Sequence, residues 1–149
     1  MLLWGAFSWA DVLRTPPTTS LPVWLKGILH PADAELAAGL GTGIFVSNHG
    51  GRQLDVVPAA LDALPAVADA VAGRVPVVLD GGVRSGGDIA LAIALGASAV
   101  GIGRPVLWGL AADGSAGVRR VLDVLHDEFT HVLALCGGRL SRDMVVVRC

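Results

Sequence analysis

Tyrosine is absent from this 149-residue chain, and lysine occurs once, at Lys26. Cysteine occurs only as Cys136 and Cys149, which make neither a disulfide framework nor metal-ligand spacing. A reducing compartment such as the cytoplasm is therefore expected, with no metal site. Charge is scarce: 11 Lys and Arg against 13 Asp and Glu give a formal net charge of -2. With no basic cluster, this balance argues against a nucleic-acid partner. No apolar run reaches the roughly 18 residues that a membrane-crossing helix needs. The opening MLLWGAFSWAD lacks a basic start and carries Asp11, so a secretory signal is not expected, and the closing VRC matches no address signal. What is present is apolar matter, 53% hydrophobic residues with 20 glycines. That suffices for one domain with a sizeable core and is far from the composition of a disordered chain.

Four short β-type runs stand out, each followed by a helix-like stretch. PVWLK (Pro22–Lys26) leads into a helix over Pro31–Leu40, and TGIFVS (Thr42–Ser47) into one over Pro58–Val71. VPVVLD (Val75–Asp80) leads into Gly86–Leu95, and SAVGIG (Ser98–Gly103) into Val106–Ala111 followed by a longer helix, Ala116–Leu135. The runs are apolar on both faces and rich in Val and Ile, as strands buried between helices are. Alternating strand and helix predicts βαβ units with right-handed crossovers and hence a parallel sheet, class α/β. Upstream, Ser8 is expected to cap a helix through Arg14, stopped by Pro16 and Pro17. Pro31 and Pro58 suit a first helical turn, Asp33 adds negative charge near an N-terminus, and Gly73 suits a helix end.

Four parallel βα units fit either an open doubly wound sheet or half of a (β/α)8 barrel. Lys26, Asn48-His49-Arg52, Asp80-Gly81-Gly82-Arg84 and Gly103-Arg104 all fall at or just past the C-terminal end of a strand. A barrel gathers all such ends at one mouth, whereas an open sheet spreads them along an edge. The half-barrel accounts for all four clusters together, although a full barrel takes about 200–250 residues or more.

Those strand ends carry the chemistry. Lys26 is either a rim residue reaching solvent or a fixed cation facing a ligand that gains negative charge. In SNHGGRQLD (Ser47–Asp55), Arg52 offers a planar fork for a carboxylate, and a neutral His49 imidazole can accept a proton. His30, His126 and His131 lack such company and are read as surface or helix-packing residues. In DGGVRSGGD (Asp80–Asp88), the amides of Gly81 and Gly82, the helix N-terminus near Gly86 and the Arg84 side chain suit a phosphate. GIGRP (Gly101–Pro105) repeats glycine plus arginine one strand later, the arrangement of many barrel phosphate sites. No GxGxxG dinucleotide fingerprint opens the first helix.

LPVWLKGIL, SNHGGRQLD, VLDGGVRSGGDIALAIALGASAVGIGRP and LWGLAADGSAGVRRVL together resemble the C-terminal half of the FMN-dependent 2-hydroxy-acid oxidases and dehydrogenases. That family includes glycolate oxidase, lactate oxidase and monooxygenase, and the mandelate and hydroxymandelate oxidases. The resemblance runs from about Trp9 to about Gly138. It implies that His49 is the active-site base and that Arg52 binds the carboxylate of a small 2-hydroxy acid. It implies that Lys26 sits by the flavin N1 and C2 carbonyl and that Ser47 contacts FMN. Asp80, Gly81, Gly82, Val83 and Arg84 are implied to hold ribityl and phosphate, with Gly103 and Arg104 completing the clamp. The implied reaction converts an (S)-2-hydroxy acid to a 2-oxo acid, with FMN reoxidised by dioxygen or another acceptor. Proton abstraction from C2 and hydride loss from C2 both fit the residues. GRPVLWGLAADG resembles the bacterial mandelate oxidase-like members, pointing to an aryl substrate.

The chain departs from the family pattern in having no tyrosine, and Lys26 to Ser47 is one residue shorter than usual. It begins where the family's fifth strand approaches, so residues 1–149 are expected to form strands five to eight of a barrel whose N-terminal half is absent. Two open sheet edges and an apolar interior follow from that. The expected partners are the missing half or further copies of the chain, and activity of these residues alone is not expected. Alternatives are an FMN- or phosphate-binding half-barrel without turnover, or another FMN barrel related to isopentenyl-diphosphate isomerase or IMP dehydrogenase. The His49–Arg52 pair counts against the last, and a purely structural module would bind no flavin.

Overall fold

A computed structural model describes residues 8–12, 14 and 19–140. The strands are β1 (Trp24–Lys26), β2 (Gly43–Val46), β3 (Val77–Asp80) and β4 (Ala99–Gly101). The helices are α1 (Trp9–Val12), α2 (Pro31–Gly39), α3 (Ala60–Val71), α4 (Gly86–Ala94) and α5 (Arg104–Leu135). All four strands lie in one sheet in the order β1-β2-β3-β4, and every neighbouring pair is parallel. Strand order that follows chain order, with crossovers of one hand, puts the connecting helices on one face. That is the arrangement of a barrel segment. A doubly wound sheet reverses its strand order and is covered on both faces.

The helices therefore pack on one face, which corrects the expectation of strands buried between helices. On the other face stand Trp24, Lys26, Phe45, Val78 and Asp80, of which Val78 is itself buried. Ile44, Val46, Val77 and Leu79 are all at most 3% exposed and meet Leu64, Val67 and Val71 of α3 in the core. Ala34 and Ala37 of α2 are fully buried in the same core, where a small side chain lets helix and sheet approach closely. On the opposite face, the Trp24 ring lies over Gly43 and meets Phe45 edge-on, with ring centroids 5.4 Å apart.

Local chemistry explains most of the boundaries. His30 is more than a surface residue, because its Nδ1 accepts the Ala32 N–H at 3.2 Å and caps α2, with Pro31 in the first turn. α3 starts two residues after Pro58, which is thus not its first helical residue. Its N-cap, Ala59, makes no side-chain hydrogen bond. Ser85 and Asp88 form a reciprocal capping box at the start of α4. α5 breaks at Asp113 and Gly114, where the sequence predicts the gap between two helices. In front of the sheet, the Trp9 indole N–H donates to Asp33 Oδ1 at 2.9 Å and ties α1 to α2. The Pro16–Pro17 stop and the Ser141–Cys149 tail lie outside the described residues. Among the described residues, no helix is long and apolar enough to cross a membrane.

Candidate active site

The C-terminal strand ends converge on one cavity of about 690 Å³. Lys26 reaches it from β1, His49 and Arg52 from the segment after β2, and Asp80 through Arg84 from the end of β3. Gly103 and Arg104 enter from the β4–α5 junction. Every residue expected at the site lines this cavity except Ser47. Gln53 and Leu107, which the sequence did not single out, line it as well.

Ser47 lies behind the wall, fully buried. Its Oγ accepts a hydrogen bond from Lys26 Nζ at 2.5 Å and one from the His49 backbone N–H at 3.1 Å. The hydroxyl thereby holds Lys26 and the His49 backbone together at the cavity wall. Lys26 is also ion-paired with Asp80, bridging β1 to β3 across β2. Its Nζ stands 5.8 Å from the Phe45 ring centroid, at the outer reach of a cation–π contact. Lys26 is thus held at the cavity by Ser47 and Asp80.

A 3₁₀ turn over His49–Gly51 carries the imidazole. Asn48 caps that turn, its Oδ1 accepting the Gly50 N–H at 3.0 Å, and its Nδ2 donates to the Pro58 carbonyl at 3.5 Å. His49 itself takes φ +57, a left-handed conformation that non-glycine residues adopt rarely and that clusters at functional sites. A guanidinium nitrogen of Arg104 lies 3.9 Å from where a Gly50 Cβ would stand, which brings the fourth strand end near the turn that holds the histidine.

The glycine turn after β3 has the shape of an anion cradle. Gly81 and Gly82 both take φ +87, and a Cβ on Gly81 would sit 3.2 Å from Asn48 Oδ1. Positive φ at two successive glycines makes a tight turn at the cavity wall, and Arg84 and Arg104 line the same cavity. The N-terminus of α4 does not join this cradle as expected. The Gly86 N–H donates to Glu128 Oε2 at 2.7 Å, and the Arg84 and Ser85 N–H groups both donate to Asp88 Oδ2 at 2.9 Å. Carboxylates of the chain itself already occupy those donors.

Charge completes the geometry. Lys26, Arg52, Arg84 and Arg104 face the cavity against a single carboxylate, Asp80, so the cavity favours an anionic occupant. The other histidines stay apart: His126 and His131 are exposed on α5. Among the described residues no group of three or more His, Cys, Asp or Glu could hold a metal ion.

The family model for FMN-dependent dehydrogenase matches residues 2–145. The chain belongs to the FMN-dependent dehydrogenase family. Among curated relatives of this family, Glycolate oxidase 3 of Arabidopsis thaliana is 53% identical over 140 residues, covering 93% of this chain and 38% of the relative. 2-Hydroxyacid oxidase 2 of Bos taurus is 54% identical over 142 residues, covering 92% of this chain and 40% of the relative. A solved mandelate oxidase variant bearing a monooxide FMN adduct superposes with a TM-score of 0.85 at 49% identity, over 88% of this chain and 42% of that one. The chain thus spans about two-fifths of the length of the relatives it matches, and its fold is a partial (β/α)8 barrel.

The glycine turn with Arg84 and Arg104 beside it and the excess of cationic side chains are chemistry that fits the anionic FMN of the family. Asn48 was legible as part of the motif but not as its cap, because the Asn48 side chain works through a local turn that no spacing rule records. Glu128 was invisible, since it reaches Gly86 from 42 residues away.

Proposed function

We propose that this chain supplies the C-terminal half of the active site of an FMN-dependent 2-hydroxy-acid oxidase or dehydrogenase. The observation that carries the proposal is the single cavity into which a histidine, a carboxylate-type arginine fork, a fixed lysine and a glycine-arginine cradle all open. Bound FMN supplies the acceptor for the two electrons that leave the 2-hydroxy acid as it becomes a 2-oxo acid.

The residues divide the remaining work. The Gly81–Val83 backbone with Arg84, Gly103 and Arg104 holds the phosphate, and Asp80 meets the ribityl hydroxyls. Arg52 receives the substrate carboxylate through paired N–H donors, which orients C2 and its hydroxyl. His49 accepts a proton from the oriented acid at an imidazole nitrogen. Lys26, held by Ser47 and Asp80, presents a positive charge where negative charge develops, without needing to reorganise. The mandelate oxidase structures support an aryl 2-hydroxy acid, and the glycolate oxidase relatives support a short aliphatic one. The open edges of β1 and β4 support a partner that continues the sheet, first the N-terminal half of such a barrel and second another copy of the chain.

The test is to produce the chain with and without a supplied N-terminal half from a mandelate oxidase. Flavin absorbance is then recorded under anaerobic mixing with mandelate, lactate or glycolate. Flavin uptake by the pair with bleaching by one of the acids is expected, with bleaching lowered roughly 100-fold or more in His49→Ala. Absence of flavin, or unchanged bleaching in His49→Ala, overturns the assignment. A second reading, a flavin-binding half without turnover, is favoured by the same open edges, and flavin uptake without bleaching by any acid would select it.

A further inference from the structure

The residue after Lys26 has been given no role so far, yet it lies against the proposed base. Gly27 takes φ +97, and a Cβ built on it would stand 2.9 Å from His49 Cε1, 3.7 Å from Nδ1 and 3.8 Å from Nε2. No real Cβ tolerates the first distance. The backbone there is pinned, because the Gly27 and Ile28 N–H groups both donate to the Phe45 carbonyl, at 3.1 and 3.2 Å. His49 is pinned from its own side by the hydrogen bond from its N–H to Ser47 Oγ. A side chain at position 27 is therefore relieved most cheaply by swinging the imidazole, the one movable part of the contact.

We propose that Gly27 is a positioning residue for His49: its missing side chain sets how far the imidazole stands from the end of β1. The proposal rests on His49 being the base. The same strand end thereby directs both the cation, through Lys26, and the proton acceptor, through Gly27. A misplacement of about 1 Å at a reacting group costs on the order of 100-fold in rate.

Two measurements test this. In the chain itself, ¹³C-edited NMR should show a cross-peak between the Gly27 α protons and His49 Hε1, and its absence overturns the contact. In the barrel completed by a relative's N-terminal half, Gly27→Ala should lower hydroxy-acid bleaching roughly 100-fold, with the acid's Kd changed less than about threefold. In a His49→Ala background the same substitution should cost less than about twofold, because its steric partner is gone. Equal losses in both backgrounds would reduce the effect to backbone strain at φ +97 and overturn the proposal. Normal bleaching in His49→Ala alone overturns the reading of the base, which is a separate failure. Should Gly27→Ala fold only when His49 is absent, the steric contact is supported; should it fold in neither background, the cross-peak decides.

Discussion

The two faces of the sheet are built from the same strands to opposite ends. Toward the helices stand Ile44, Val46, Val77 and Leu79, closed from solvent and carrying no polar atom. Toward the cavity side stand Trp24, Lys26, Phe45 and Asp80, the first 41% exposed and the charged pair still half-wet. A period of two along each strand is enough to separate them. Adjacent residues thus do different things: Leu79 packs the core, and Asp80, next to it, pairs with Lys26 at the cavity. A mutation's consequence is then read from parity along the strand more than from distance to the site.

Leu79 and Asp80 offer the sharpest way to break that comparison. Leu79→Ala should lower unfolding stability by about 2–5 kcal/mol in urea titrations, since it empties a site that is 1% exposed. Asp80→Asn should change stability by less than about 1 kcal/mol, because the pair it forms with Lys26 is screened by solvent. Its effect should appear in flavin affinity, measured by titrating FMN fluorescence. Equal stability losses for the two substitutions would abolish the division between faces.

The smallest effect is expected on α1, at the helix-covered side. The Asp11 carboxyl is held below its usual pKa of 3.8, first by the Ser8 hydroxyl donating to it and then by the Ser8 N–H. A lowered folded-state value means its contribution is present above pH 3.8 and is lost as acid titrates the carboxylate below that. Acid should therefore loosen the start of α1, and the Ser8 N–H resonance, which reports the bond to Asp11 Oδ2, checks this.

Most of the fold was legible because βα alternation and glycine or proline punctuation are local signals. Each predicted strand and helix has a counterpart, and even the break in α5 lies where Asp113 and Gly114 interrupt the pattern. What was not legible acts over distance or through side-chain geometry. Pro58 looked like a first helical residue, but the loop after the His49 turn runs on to Ala59 before α3 begins. The α4 N-terminus looked free for phosphate, yet Asp88 and Glu128 occupy its donors. Of the site, the residue types and strand-end positions could be read directly. The inward turn of Ser47 and the closeness of Gly27 to His49 could not, because both follow from how β1 and β2 stack.

The bond from Gly86 to Glu128 makes the end of the described chain a backstop for its middle. The break at Asp113 and Gly114 turns the chain so that the last helical stretch returns to the start of α4, where Glu128 takes the Gly86 N–H. Residues remote from the cavity thereby hold that helix end, and shortening the chain ahead of Glu128 would leave the Gly86 N–H without its acceptor while keeping every strand intact.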